Sequence, residues 1–512
     1  MKRSIILFTI LSLGLTVVSC DSFLDTMPDN RAEVNSAAKI TSLLVSAYPD
    51  HSATLLTEFG TDNVMDNGSD YSVTYEEQED AYLWKETNST RYDSPKEVWD
   101  AHYLAIASAN QALAAIEELG SPTSSNPQKA EALLARAYNH FVLTNVFCMH
   151  YNPQTADKDM GIPFSEKPET TVSVKYERGS VANIYDKINK DIEAALPLIN
   201  DEIYSVPKYH FNKKAAYAFA ARFNLYYLQY DKVIKYATTA LGSNPQSLVR
   251  NMTNYLTYGA DDISNNYVSA RETANFLIMP AYSLAGRILA SGKRYAHNKT
   301  KTSNETFWAL GPWGTSGSSG YLISQLYGNN EVVRFPKLDE FWEYTDKTGG
   351  TGYPHIVAVP FTADETLLCR AEAYTMEKKY DEATTDLNIW QTAHCKVGVP
   401  SLTRERINAF FSNLVESPIE TTAPQTIKKK LNPLGFTVEA GEQDNFIQCV
   451  LHFRRIETIH EGLRWFDIKR YGIEIAHNRD EMSDDKLTLN DPRRAIQLPQ
   501  DVISAGLTAN PR

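Results

Sequence analysis

Cysteine is scarce in this chain, five in 512 residues, and no two of the five stand in a C-x-x-C spacing. That excludes a zinc ribbon and a thioredoxin-like redox motif. Long apolar runs are also missing. The most apolar stretch, residues 5–18, is diluted by Thr9, Ser12, Gly14 and Thr16 and falls short of the roughly 20 residues that a bilayer-spanning helix needs. Positive charge is in deficit, with 50 Lys and Arg against 63 Asp and Glu. A net charge of −13 repels phosphate backbones, which argues against nucleic acid or anionic lipid as a main partner. No nucleophile elbow, zinc-protease helix, P-loop or dinucleotide fingerprint occurs, and none of the acids forms a pair with a reason to be catalytic. The reading is therefore not an enzyme, with no cofactor and no metal-ligating residues assigned, a bound metal being left open.

What is present begins at the N-terminus. Lys2 and Arg3 precede the short apolar core, and Val17-Val18-Ser19-Cys20 follows it. This is a secretory leader over residues 1–19, to be left out of fold reasoning. A cut before Cys20 makes the thiol the new first residue and the lipidation site, because two acyl chains suffice for stable anchoring. The mature chain then carries 48 basic and 63 acidic residues, a net −15. The other cysteines, Cys148, Cys369, Cys395 and Cys449, lie far apart, and buried free thiols are the default expectation.

Helical periodicity comes in pairs, over residues 97–148, 181–241 and 362–392. In the first, Trp99, Tyr103, Ile106, Ala107, Ala114 and Ile116 recur at three- and four-residue steps before the breakers of "GSPTSSNP". The pairs resemble one another. Residues 133–137 read "LLARA" and 367–371 read "LLCRA"; Ala221 precedes "YDK" by nine positions, as Ala371 precedes "YDE". Ala371, Tyr374, Tyr380, Ala383 and Leu387 fall where a tetratricopeptide repeat keeps its small and aromatic contact residues. The expected fold is mainly α: a scaffold of tetratricopeptide-like helical hairpins, with residues 20–512 as a single domain. Residues 244–359, dense in Gly, Ser, Asn and aromatics, show no helical period and read as an ordered, loop-rich lobe. Residues 58–92 have the same texture. A late helix is expected over about 448–472, where Arg454, Glu457, Glu461 and Arg464 would be ion-pair neighbours on one face. "DNVMDNGSD" at 62–70 fails the calcium-loop pattern at two ligand positions and reads as a polar turn.

Two phrases, "CDSFLDTMPDN" at 20–30 and "RRIETIHEGLRWFDIKRYG" at 454–472, resemble the SusD/RagB family of Bacteroidetes surface lipoproteins. The matching residues are Cys20, Phe23, Leu24, Asp25 and Pro28 at one end. At the other they are Arg454, Arg455, Glu461, Gly462, Arg464, Trp465, Phe466, Asp467, Arg470 and Gly472, with Glu457 as the usual acid and His460 where an apolar residue is commoner. The resemblance implies a SusD-like fold with a variable binding face, anchored on the outer membrane and facing the exterior. It also implies a SusC-like TonB-dependent barrel as partner, with this protein as its lid, passing on an oligosaccharide or, in the RagB branch, a peptide. A sugar ring lies flat on an aromatic face while Asp, Asn or Arg binds its hydroxyls. Alternation in an extended "YLW" puts Tyr82 and Trp84 on one side, and the resembling family draws a ring pair from this region and a Trp from the central lobe. The expected ligand-binding set is Tyr82, Trp84, Trp308 and Trp313 with Asp62 and Asn63 as polar contacts; a pure interaction scaffold is the rival.

Overall fold

The computed structural model describes residues 34–169, 175–313 and 326–512. The leader and Cys20 lie outside them. Among the described residues no helix is long and apolar enough to cross a membrane.

The helical pairs expected from periodicity form, with ends set by local chemistry. Helix α1 (Pro95–Glu118) starts on an N-cap: Ser94 accepts from the Glu97 N–H, and Pro95 occupies the first helical position. Its antiparallel partner is α2 (Asn126–Phe147), on which α3 (Val181–Ala195) also packs. Helices α4 (Lys213–Tyr226) and α5 (Tyr230–Leu241) form the second hairpin, and α6 (Ala363–Met376) and α7 (Tyr380–His394) the third. Helix α4 buries Ala215, Ala216, Ala218, Ala220 and Ala221 completely, so its backbone approaches its neighbours closely. The similarity between the pairs has structural content. Leu228 and Lys378, each two residues before the next helix, both take positive φ, 62° and 57°. Arg136 of "LLARA" grips Asp191 with two bonds of 2.8 and 2.7 Å, and Arg370 of "LLCRA" grips Asp386 with two of the same lengths. Such forked pairs fix orientation as well as separation.

Residues 244–359 are more regular than their composition suggests. Strands β1 (Asn275–Tyr282), β2 (Phe341–Asp346) and β3 (Thr351–Thr362) make an antiparallel sheet in the order β1-β3-β2, leaving β2 at an edge. The apolar run of β1, "NFLIMPAY", is the signal of a strand buried on both faces. Its register sets Tyr282 opposite His355, and β2 sets Trp342 opposite Pro354.

The late helix is a correction. Helix α8 (Arg404–Asn413) leads to α9 (Glu442–Glu457), but the chain then turns, and α10 (Arg464–Arg470) is a separate helix. Buried Glu58 makes the break: its carboxylate accepts the N–H groups of His460 (2.9 Å) and Gly462 (3.0 Å), which a continuous helix would have used internally. Gly462 sits at φ +77°, where a Cβ would lie 2.0 Å from Thr57 Oγ1. The ion pairs expected along one face consequently form with distant partners: Arg454 with Asp467 and Glu365, Glu461 with Lys337, and Arg464 with Asp62. Trp465 is buried in a satellite cluster with Ile468 and Tyr471. Strands β4 (Ile475–Arg479) and β5 (Met482–Leu487) follow as a hairpin. The four described cysteines are free and buried.

Candidate functional site

The residues chosen from sequence are drawn together, but mostly into the interior. Tyr82 closes a short helix, Glu76–Tyr82, and Trp84 follows at φ +47°, so the two do not alternate along a strand. Their rings instead sandwich the imidazole of His477, each centroid 4.1 Å away, and Tyr295 covers the other face of Tyr82 at 4.5 Å. Tyr82 is 0% exposed, and its hydroxyl is engaged by the Asp66 N–H and by Asn478. A ring covered on both faces has none to offer a sugar. Trp84 is half-buried, donates from Nε1 to the Gly60 carbonyl at 2.9 Å, and has the Arg493 guanidinium 5.2 Å from its ring centre. His477 directs both nitrogens at carbonyls, those of Tyr82 and Thr61, yet burial pushes its pKa down to about 4.

Asp62 and Asn63 are buried beneath this stack. Arg464 forks onto Asp62 at 2.9 and 3.0 Å; burial alone would raise the Asp62 pKa, but Arg455, Arg464 and Lys429 hold it well below the usual carboxylate range. Asn63 donates to Glu58 and accepts from Arg455. Trp313 is fully buried against Phe453 and His452, and half-buried Trp308 packs on the main core. Tyr82, Asn63 and Trp313 are thus enclosed in this arrangement, whereas Trp84 and Trp308 are half-buried and Asp62 lines a cavity of about 310 Å³. The turn at 62–70 runs from the interior to the surface, with Ser69 and Asp70 exposed, and Asp66 is paired with Arg294 and accepts the Gly68 N–H.

An open aromatic cleft of about 530 Å³ lies between the other faces of the same two sequence regions. Tyr75, Thr90, Arg91 and Tyr92 come from the first, and Leu284, Arg287, Trp342, Gly352 and Pro354 from the second. The β2–β3 register explains the placement: Trp342, Tyr344, Gly352 and Pro354 share one face, while Phe341, Glu343, Tyr353 and His355 share the other. Trp342 is 39% exposed and Tyr344 53%. At Gly352 a Cβ would lie 2.1 Å from the Glu343 carbonyl and 2.7 Å from Trp342 Nε1, so only glycine lets the indole lie over the neighbouring strand.

Polar groups line the rim. Arg287 donates to the Tyr75 hydroxyl (3.2 Å) and to Glu340 (2.8 Å), fixing one wall, whereas Arg91 is more than half exposed and only 3.8 Å from Glu77. Tyr92 stacks on His51 at 6.2 Å. The wall that carries Tyr92 is pinned by Asp93, at φ +64°, which accepts from the Ser283 hydroxyl and the Leu284 N–H (2.7 Å). Burial pushes the Asp93 pKa up to about 6, against these two donors. Rings with free faces, beside hydroxyl, guanidinium and carboxylate groups, can hold an uncharged polar ligand by stacking and hydrogen bonds. Sequence reasoning passed over Trp342; its signal was "FWEYTD", an alternating run closed by the turn "KTGG". A second, more enclosed cleft of about 130 Å³ lies between α2, α4 and β3 and is largely apolar, lined by Tyr138, Phe141, Met279 and Phe466.

Comparison with known proteins now gives the geometry a context. A family model described as starch-binding associating with outer membrane matches residues 22–225, and the model of the SusD family matches 290–500. SusD-like protein P38 from Formosa agariphila is 23% identical over 508 residues, 91% of each chain. A SusD superfamily structure from Bacteroides thetaiotaomicron superposes with TM-score 0.63 at 17% identity, covering 93% of this chain and 100% of that one. One from Bacteroides fragilis gives 0.64 at 15% identity, with 93% and 99% covered. The late motif, the helical pairs and the matches over both halves converge: the chain belongs to the SusD/RagB family of nutrient-binding proteins.

Proposed function

We propose that the protein captures an oligosaccharide at the cell surface in the cleft formed by Tyr75, Tyr92 and Trp342, and delivers it to a SusC-like TonB-dependent barrel on which it sits as a lid. Lipid on Cys20 holds it to the outer membrane. The observation that carries this reading is the exposed ring face of Trp342, set over Gly352 opposite the Tyr75–Tyr92 wall, in a cleft of about 530 Å³. That volume is in the range of small-molecule sites, roughly 300–1,000 Å³. The chemistry asked of it is binding and release, and family members are binding proteins.

A peptide ligand, as in the RagB branch, is the second reading, and one observation favours it. Strand β2 is an open edge, and an extended peptide adds to such an edge through main-chain hydrogen bonds. Calorimetric titration of residues 21–512 with panels of neutral oligosaccharides and of peptides separates the two. The expected outcome is heat with a glycan that disappears in Trp342→Ala. Binding of peptides alone would transfer the assignment to the β2 edge.

A further inference from the structure

Three helix ends converge away from both clefts. Asp364 lies in the first turn of α6, His394 ends α7 and Glu457 ends α9. One ligand atom from each lies within 4.8 Å of the other two, and all three residues are buried. His394 Nε2 is 3.1 Å from a Glu457 oxygen and 3.7 Å from an Asp364 oxygen. The other ring nitrogen, Nδ1, is 2.9 Å from the Trp390 carbonyl, which can only accept. Nδ1 therefore carries a hydrogen, which leaves Nε2, facing two carboxylates, as the nitrogen that takes up either a proton or a cation. A divalent cation among the three buried groups would satisfy all of them at once.

The surroundings are built to orient these groups. The Trp390 indole N–H donates to Glu457 at 2.9 Å, and the Arg250 backbone N–H donates to one oxygen of Asp364 at 3.0 Å. Such outer partners are what hold metal-binding side chains in register. The second oxygen of Asp364, a fully buried residue, has no hydrogen-bond partner among the described residues. The nearby cations are already engaged elsewhere: Lys337 pairs with Glu461 at 2.8 Å and Arg250 with Glu272 at 3.4 Å.

From this geometry we propose that Asp364, His394 and Glu457 bind one first-row divalent cation, with Zn²⁺ the best-fitting ion, joining α6, α7 and α9. Two ligands about 2.0–2.1 Å from a tetrahedral ion stand about 3.3 Å apart; the two separations from His394 Nε2 are 3.1 and 3.7 Å, and the two carboxylates lie within 4.8 Å of each other. A cavity of about 10 Å³, lined by His394, Glu457, Arg250 and Lys337, adjoins the site and is the size of a single water, the fourth ligand. One imidazole and two carboxylates suit zinc, whereas calcium requires six to eight oxygens.

The test is a titration of the chelator-stripped chain, residues 21–512, with Zn²⁺ alone, followed by elemental analysis. One equivalent should bind, and the unfolding midpoint should rise. Co²⁺ should give the visible absorption of a low-coordinate site. Asp364→Asn and His394→Gln should each weaken Zn²⁺ binding by more than about 100-fold. The wild-type stoichiometry does not depend on either variant folding. Failure of the wild type to take up an equivalent, or binding unaffected by His394→Gln, overturns the proposal and leaves a protonated His394 as the bridge between the carboxylates.

Discussion

The stack of Tyr295, Tyr82, His477 and Trp84 and the cleft of Tyr75, Tyr92 and Trp342 are built from the same kinds of residue, largely in the same two stretches of chain. One is sealed and the other open. In the stack, ring covers ring, and beneath it Asp62 is gripped by Arg464 and Arg455. In the cleft, the rings stand on an edge strand and on a loop wall and keep a face turned to the opening among the described residues. The difference shows that the function of an aromatic residue here is set by what lies against its faces. The sealed stack gives the loops rigidity, and the open cleft uses that rigidity to present its rings at fixed spacing.

The largest effect should come from breaking the sealed region. Arg464→Ala strips Asp62 of two charged hydrogen bonds and leaves the buried carboxylate to Arg455 and Lys429 alone, and should lower the unfolding free energy by about 3–5 kcal/mol in urea titration. Ligand affinity of the folded fraction should stay near that of the wild type. An affinity loss without a stability loss would reverse the roles assigned to the two regions.

The joint between them is expected to respond to pH. Burial raises Asp93 to about 6, above the roughly 3.9 of an unfolded chain, so the folded state holds the proton more tightly. The stability it contributes is complete below about pH 4 and is withdrawn as pH rises through 6, by about 3 kcal/mol. Asp93→Asn does not titrate. The unfolding free energy of the wild type minus that of the variant should fall by this amount between pH 4 and 7; a flat difference would mean that Ser283 and Leu284 already satisfy the anion.

The smallest effect on the fold should be the clearest on binding. Trp342→Ala removes an exposed ring and should change stability by less than about 0.5 kcal/mol, while costing about 2 kcal/mol of ligand affinity, roughly 30-fold. Tyr82→Ala is the mirror image, destabilising by about 3–5 kcal/mol. If the two variants exchanged behaviour in parallel calorimetry and urea unfolding, the contrast between stack and cleft would be inverted.

The helical pairs were legible because their causes are local. The N-caps at Ser94 and Thr362, the small-residue faces and the positive-φ turns at Leu228 and Lys378 are each written within a few residues. The break at His460–Gly462 was not legible. "ETIHEGLRW" contains good helix formers, and the group that turns it, the Glu58 carboxylate, is some 400 positions away in sequence. The regions that carry the cleft were visible in composition, but the choice among their rings was not.

Sequence by itself determined the family, the paired helices and the two ring-rich regions, because motif, periodicity and composition are carried along the chain. Only tertiary structure decided that Tyr82 and Trp313 are covered while Trp342 stands open. Whether a ring keeps a free face depends on distant partners, such as His477 over Tyr82 and Phe453 against Trp313, that no local pattern encodes.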